Sequence, residues 1–361
     1  MTNIKKLGLS ALAGSLVAVS AQAGEMAVTG SANVTYVTGE KATGGKTIGT
    51  DRDVSFTGTG EMDNGWTFKM STTLTDSYTV SSSFTSLTMG SLGTVSFGTD
   101  TGGASYKYDE EVPQAYEQTS DAQQNTANLV GNQMDSNSIV YNSPSLELAG
   151  VSLSMDVEFS PNANGVGSGD GGTTNKLTAT DAAGNLGNYG KGYGLGVTAK
   201  YEGLALGVYG SERDNRDPAV NATKVRDAFE GAWYAKYSMG PVSVGYSETY
   251  LDAGKNAADS TITTAKVARV ASGIFSSESM SVAFNVNDDL SISYTSTEDT
   301  YDDQSSLTAV SDVTQDSTAI QIAYSMGAMS LKAYQMETKN PGYDSDATDE
   351  NVTEIALGLA F

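Results

Sequence analysis

Two short β-like segments, Thr94-Val95-Ser96-Phe97 and Ser138-Ile139-Val140-Tyr141, enclose residues 98–137, which show no sustained apolar periodicity. This stretch carries a group of acidic residues: Asp109, Glu110, Glu111, Glu117 and Asp121. A structureless connection of this length inside a regular β protein is either functional or disordered. We interpret it as a loop, about residues 99–136, that folds into the lumen of a barrel and narrows it. A solvated external loop is the alternative.

Outside this stretch, apolar and polar residues alternate along segments that are separated by turn sequences. Val151, Leu153 and Met155 alternate with serines and an aspartate, and Asp63-Asn64-Gly65 fits a tight hairpin. Phe84 is out of phase with Leu87, which predicts that the fourth strand carries a bulge or begins later in the chain.

The strands are predicted to number sixteen, with seven short turns at one end and eight longer loops at the other. An even number of strands closes a sheet and removes its edges. The sequence therefore predicts an all-β fold, a sixteen-stranded transmembrane antiparallel β-barrel. A soluble sandwich or jelly roll is the alternative, but it would rarely separate short and long connections so regularly.

Charged residues within the predicted strands lie on the phase opposite to the apolar residues: Glu61, Lys69, Asp156, Glu158, Lys200, Lys236, Lys332 and Glu354. The apolar phase carries aromatic residues toward the strand ends, as membrane-interface girdles do: Tyr36, Tyr193, Tyr201, Trp233, Tyr237, Tyr246 and Tyr250. We therefore expect an apolar face toward lipid and a water-filled lumen.

Composition excludes several classes of activity. The chain has no Cys and no His, so a Ser-His-Asp triad, a Cys nucleophile and Cys/His zinc ligation cannot form. A formal charge of -23 disfavours binding to nucleic acid and favours cations and neutral polar solutes as partners. We predict that the protein is not an enzyme and needs no cofactor.

The first residues indicate export. Lys5 and Lys6 precede an apolar run, residues 7–19, that is too short to cross a bilayer, and Ala21-Gln22-Ala23 supplies a cleavage pattern before Gly24. Residues 1–23 are thus a predicted signal peptide, with a membrane anchor as the alternative. Residues 24–361 form the predicted barrel.

The chain resembles the general trimeric porins of Gram-negative bacteria. The resemblance rests on Leu-Gly-Thr-Val-Ser-Phe-Gly at residues 92–98, Asn-Ser-Ile-Val-Tyr-Asn-Ser-Pro at residues 137–144, the signal peptide and the final Phe361. It implies a multi-pass protein of the outer membrane, a homotrimer, and recognition of Phe361 by the barrel-insertion machinery. It also implies that acids of the third loop face basic residues across the lumen.

The sequence departs from the family pattern at that constriction. Thr99 and Val140 stand where many relatives place Arg, so Lys69, Arg52 and Lys107 are the basic candidates near the predicted acids. We predict passive diffusion of small hydrophilic solutes and ions, with a preference for cations. A solute-selective outer-membrane channel and a non-pore surface or adhesive protein are the alternatives.

Two further predictions concern the outside of the barrel. Gly30, Ala32, Gly58 and Gly60 on the apolar phase favour close packing between subunits, and hence a homotrimer. Acidic external loops could bind Ca²⁺ or Mg²⁺ and bridge to lipopolysaccharide and outer-membrane lipid. The weak candidates for such a site, more simply read as solvated charge, are Asp344, Asp346, Asp349 and Glu350.

Overall fold

The computed structural model describes residues 23–39, 46–75, 77, 79–99, 103–119, 134, 138–161, 189–215, 227–252, 274–302 and 312–360. Most of these residues belong to strands, and two short 3-10 turns lie at Gly90–Leu92 and Ser105–Lys107. In chain order the strands are β1 (Ala23–Gly39), β2 (Thr47–Glu61), β3 (Thr67–Leu74), β4 (Val80–Thr88), β5 (Thr94–Thr99), β6 (Ser138–Asn142), β7 (Leu146–Leu148), β8 (Val151–Ser160), β9 (Tyr189–Tyr201), β10 (Leu204–Asn215), β11 (Ala228–Met239), β12 (Val242–Asp252), β13 (Ile274–Asn285), β14 (Leu290–Asp302), β15 (Val313–Met326), β16 (Met329–Lys339) and β17 (Glu350–Ala360).

Consecutive strands pair antiparallel into one closed sheet. β6 and β7 both pair with β8 and are two segments of a single wall strand, so the wall has sixteen strands. Closure comes from β1, which pairs with β2 on one side and with β17 on the other. The predicted sixteen-stranded barrel is confirmed.

Seven short connections lie at one rim of the barrel and the longer loops lie at the other. The β2–β3 hairpin shows why the sequence turns there. Gly65 has φ of 80°, which a residue with a Cβ rarely adopts, and its N–H donates to the carbonyl of Met62 at 2.8 Å. The predicted tight turn at Asp63-Asn64-Gly65 is therefore confirmed.

The predicted phases match the two faces of the wall. Large apolar and aromatic side chains, including Tyr193, Tyr201 and Trp233, are exposed on the outer face. The inner face carries small polar side chains that bond to each other, such as the hydroxyls of Ser279 and Thr297 at 2.8 Å. Within the described residues, none of the helical segments has the length and apolar character needed to cross a bilayer.

A bulge lies near the start of β4, but it does not cause the phase of Phe84, because Phe84 and Leu87 stand in one continuous register with β3. Leu74 pairs with Val80 but Thr73 pairs with Ser82, so one extra residue is accommodated between them. Beyond this bulge Phe84 pairs with Ser71 and shares the lumen face of the wall. Phe84 is thus an aromatic side chain inside the barrel.

Candidate functional site

The described part of the third loop, residues 103–119, lies inside the barrel. Its contacts are with inward-facing side chains of the wall from β8 round to β17, and its first and last wall partners include Asp156 on β8 and Glu354 on β17. The predicted inward folding of this loop is confirmed over residues 103–119. The wall partners of this described segment are on β8–β17, and the lumen faces of β2–β5 lie on the other side of the barrel.

Tyr108 fixes the first part of the loop. Its side chain is fully buried, its hydroxyl donates to Asp156 Oδ2 at 2.8 Å, and its ring stacks on Tyr209 with centroids 5.3 Å apart. Gly196 on β9 makes room for the ring, because a Cβ at that residue would overlap it. Burial raises the pKa of the Tyr108 phenol well above its ordinary value, so the hydroxyl remains a hydrogen-bond donor.

The middle of the loop is held by charge and by close approach. Lys107 Nζ lies 2.6 Å from Asp156 Oδ1, and Lys236 on β11 forms an ion pair with Glu111. Pro113 lies against Gly245 on β12, where any side chain would overlap its ring, and the carbonyl of Pro113 accepts a hydrogen bond from Ser281. The loop therefore follows the wall closely.

Tyr116 fixes the last part of the loop. Its N–H donates to Gln321 Oε1 at 2.8 Å, and its hydroxyl donates to Glu354 Oε1 at 2.6 Å. Lys332 Nζ lies 5.0 Å from the centroid of the Tyr116 ring, within the range of a cation–π contact. Burial, followed by the hydrogen bond to Glu354, raises the pKa of the Tyr116 phenol well above its ordinary value.

The predicted acids of the loop differ in how far they are exposed to the lumen. Glu110 is 2% exposed and Asp109 is 8% exposed, so little of either carboxylate meets the water of the lumen. Glu110 Oε1 accepts from the Thr119 N–H at 2.7 Å and from the Thr119 hydroxyl at 2.6 Å. Glu111 and Glu117 are partly exposed. Asp121 lies outside the described residues.

Hydroxyl groups dominate the wall that faces the loop. Ser55 pairs with Thr73 at 2.8 Å, and the lumen phase of β2 continues toward the loop rim with Asp53 and Asp51. Among the described residues of β1–β5, Lys69 is the only basic side chain on the lumen phase, and its Nζ lies 5.2 Å from the centroid of the Phe84 ring.

Arg52 does not belong to this wall, so its prediction as a lumen base is wrong. It pairs with Ala32, and strand alternation puts both side chains on the outer face with Val54 and Phe56. The basic ladder that the family resemblance implies is therefore reduced to Lys69 on the described part of this side.

The remaining candidates are dispersed. No three acidic side chains of the described residues converge to hold a metal ion, including Asp344, Asp346, Asp349 and Glu350. Phe361 and residues 1–22 of the predicted signal peptide (residues 1–23) lie outside the described residues, and Ala23, the last residue of that peptide, begins β1.

The sequence reasoning missed the aromatic contacts that hold the loop. Tyr209, Tyr234 and Tyr334 are buried and face inward, on the polar phase of their strands. Aromatic residues on a polar phase are the signal that could have identified them. Tyr106 was also missed, and its side chain is 72% exposed. Because Ser105 is buried and both Lys107 and Tyr108 contact Asp156, Tyr106 projects away from the wall toward the open lumen.

Comparisons with known proteins agree with this geometry. A family model described as Gram-negative porin matches residues 8–361. OmpF of Salmonella typhi, solved in complex with daunomycin, is 13% identical over 94% of this chain and 98% of that chain, with a TM-score of 0.66. OmpT of Vibrio cholerae, an outer membrane protein solved in a trimer form, is 13% identical over 94% of this chain and 100% of that chain, with a TM-score of 0.60.

An anion-selective porin from Comamonas acidovorans is 14% identical over 93% of this chain and 99% of that chain, with a TM-score of 0.61. At these identities the structural likeness shows the barrel fold alone. Among curated proteins, none matches the chain in sequence.

Proposed function

The chain belongs to the Gram-negative porin family, and from this premise we propose that it is a cation-preferring pore for passive diffusion of small hydrophilic solutes and ions. Family membership and the sixteen-stranded barrel make it an outer-membrane porin. The proposal adds the mode of transport and the sign of the preferred ion. It also holds that the protein performs no chemical conversion, since its function is carried by a lumen rather than by a nucleophile and a base.

The distribution of lumen charge carries the proposal. Cations at the contact between loop and wall are matched by acids, as Lys107 of the loop is with Asp156 and Lys236 of the wall is with Glu111. The described part of the wall that faces the loop carries Asp51 and one base, Lys69, on a surface of hydroxyl groups. The balance at the opening is therefore negative, in line with a formal charge of -23 for the chain.

The size of this effect can be approximated. At an effective dielectric constant of about 20, a unit charge ~6 Å from a permeating ion contributes on the order of 2 to 3 kcal/mol before screening. A Debye length of about 8 Å at physiological ionic strength reduces this contribution without removing it. Partly exposed Glu111 and Glu117 act at short range, whereas the enclosed carboxylates of Asp109 and Glu110 act through the field of the loop.

Reversal potential in planar bilayers under a salt gradient tests the proposal. The parent protein is expected to prefer cations, and the triple change Asp109→Asn, Glu110→Gln, Glu111→Gln should reduce that preference. Glu248→Gln is the matched control, because Glu248 pairs with Trp233 on the outer face. Anion preference in the parent, as in the Comamonas porin, or an unchanged preference in the triple variant would refute the assignment of these acids.

We further propose a homotrimer. Gly58 lies on the outer face with no atom within 4 Å of a Cβ built on it, so a neighbouring wall can approach closely. The trimer form of the similar Vibrio cholerae protein supports this oligomeric state. Recognition of Phe361 by the insertion machinery, contacts with lipopolysaccharide and cleavage after Ala23 belong to the same proposal.

A solute-selective channel is a second candidate function, and Tyr106 is the observation that favours it. An exposed ring in the lumen can stack on a flat, ring-bearing solute that also meets the hydroxyl wall. Transient block of the ion current by a neutral disaccharide, lost in Tyr106→Ala, would support this candidate.

A further inference from the structure

The connection between β16 and β17, residues 340–349, does not stand up from the rim but lies against the inside of the wall. Tyr343 in this connection has a fully buried side chain. The centroid of its ring lies 5.3 Å from that of Phe275 on β13 and 6.2 Å from that of Tyr301 on β14. Phe275 and Tyr301 are themselves buried, and their centroids are 5.1 Å apart. The connection thus reaches inward past β15 to two strands that are not its neighbours in the chain.

Polar contacts on β15 hold the same segment down. The Gly342 N–H donates to Gln315 Oε1 at 2.6 Å, and Asn340 Nδ2 donates to the carbonyl of Thr314 at 2.8 Å. Gln315 is fully buried and lies on the inner face. These hydrogen bonds and the aromatic cluster together hold the connection against the inner faces of β13–β15, on one side of the pore entrance.

The backbone indicates that this arrangement is imposed by packing. Asn340 has φ of 49° and Tyr343 has φ of 57°, both in the left-handed region. Asn tolerates this region, but a bulky aromatic residue seldom adopts it unless its surroundings require it. Here the requirement is the packing of the Tyr343 ring against both Phe275 and Tyr301.

Acidic residues follow the buried ring directly. Asp346 and Asp349 are exposed, and Asp344 is partly exposed and accepts a hydrogen bond from the Asp346 N–H at 3.1 Å. Because Tyr343 is fixed to the inner wall, the segment that carries these carboxylates begins at the inner wall beside the loop-rim opening.

We propose that residues 340–349, the docked strap, are a second selectivity element of this pore: the strap narrows the external mouth and concentrates cations there, with Tyr343 as its positioning residue. The proposal rests on the proposed function, a cation-preferring pore. It assigns the third loop to the middle of the lumen and the docked strap to its external entrance. A negative collar at a water-filled entrance raises the local concentration of cations, and the effect is lost as salt shortens the Debye length.

The test compares Tyr343→Ala, which removes the buried ring, with Tyr343→Phe, which keeps it. In Tyr343→Ala, single-channel conductance is expected to rise, and the cation-to-anion permeability ratio at ~0.1 M salt is expected to fall by about twofold. The two proteins should converge in permeability ratio at ~1 M salt, where the Debye length is about 3 Å. Tyr343→Phe should behave as the parent. Tyr294→Ala is the matched control, since Tyr294 lies on β14 but is exposed on the outer face.

A second measurement reports the position of the strap directly. The chain has no Cys, so Ser345→Cys offers a single thiol within the strap. Attachment of a positively charged thiol reagent should reduce cation preference in the otherwise parental chain and should have a smaller effect when combined with Tyr343→Ala. Heat-resistant migration of each variant verifies that the barrel is folded.

The outcomes separate the strap from the pore itself. If the parent conducts cations preferentially but Tyr343→Ala leaves conductance and permeability ratio unchanged, the docked strap is refuted while the proposed function stands. A charged label on Ser345→Cys that has no effect on permeation would also refute it. If the parent forms no pore, the proposed function is refuted, and the docked strap as a selectivity element is refuted with it.

Discussion

The packing of the Tyr108 ring against Gly196 gives the sharpest prediction about the third loop. In Gly196→Ala the new methyl group would overlap the Tyr108 hydroxyl and ring edge. The ring has little freedom to move aside, because it is fully buried and stacks on Tyr209. The substitution should therefore loosen the first part of the loop.

The expected magnitude follows from the contacts that are lost. Overpacking at a filled site costs about 1 to 3 kcal/mol. A shift of the ring also weakens its hydrogen bond to Asp156, and hydrogen bonds to charged groups contribute roughly 1.5 to 3 kcal/mol. Taking about 2 kcal/mol as the combined destabilisation, the population of undocked loop should increase roughly 30-fold.

Single-channel recording is the assay. Relative to the parent, undocking should appear as added current noise or as brief transitions to other conductance levels. Gly210→Ala is the matched control, since Gly210 lies on the outer face of β10 and its Cβ would meet its nearest neighbour, Phe229, at 3.6 Å. Traces of Gly196→Ala that match both the parent and this control would refute the seat of Tyr108. An effect of Gly196→Ala that is just as large in a Tyr108→Ala background would also refute it, because the two changes should not be additive.

Three further predictions concern the wall. Gly58→Trp should reduce the fraction of trimer seen by cross-linking in mild detergent more than Ala199→Trp does, and equal effects would contradict a subunit contact at the early strands. Asp156→Asn leaves half-exposed Lys107 without its carboxylate and removes the charged acceptor of the buried Tyr108 hydroxyl. It should lower the thermal unfolding midpoint of the barrel, since a hydrogen bond to a charged group contributes roughly 1.5 to 3 kcal/mol; an unchanged midpoint would show that Asp156 contributes nothing. Lys69→Gln should increase cation preference in reversal-potential measurements, and a decrease would show that Lys69 does not face the opening.

The wall of this barrel could be predicted from the sequence because local rules determine it. Period-two alternation identifies which face of each strand meets lipid, and turn chemistry at residues such as Gly65 marks the hairpins. Closure follows from the even number of strands. The third loop could be recognised by its length and lack of periodicity, and its inward folding through the family resemblance.

The details of the lumen could not be predicted in the same way, because they depend on long-range packing. The sequence contains three consecutive acids at residues 109–111, but only the fold shows that Glu110 turns to Thr119 while Glu111 meets Lys236. Arg52 has the charge expected of a lumen base, but its strand phase puts it on the outer face. Tyr343 looked like an ordinary loop residue, since its partners Phe275 and Tyr301 are far away in sequence.

The hydrogen bond between Tyr116 and Glu354 joins residues that are 238 apart in the chain. Glu354 belongs to β17, the strand that also pairs with β1 to close the barrel. The third loop therefore cannot complete its seating until the last strand has been added, however early the loop itself is synthesised. An unfinished barrel would hold a loose loop, open to proteases, and the closed barrel would not. The final width of the pore is thus set late in assembly, when β17 has been added and Tyr116 can bond to Glu354.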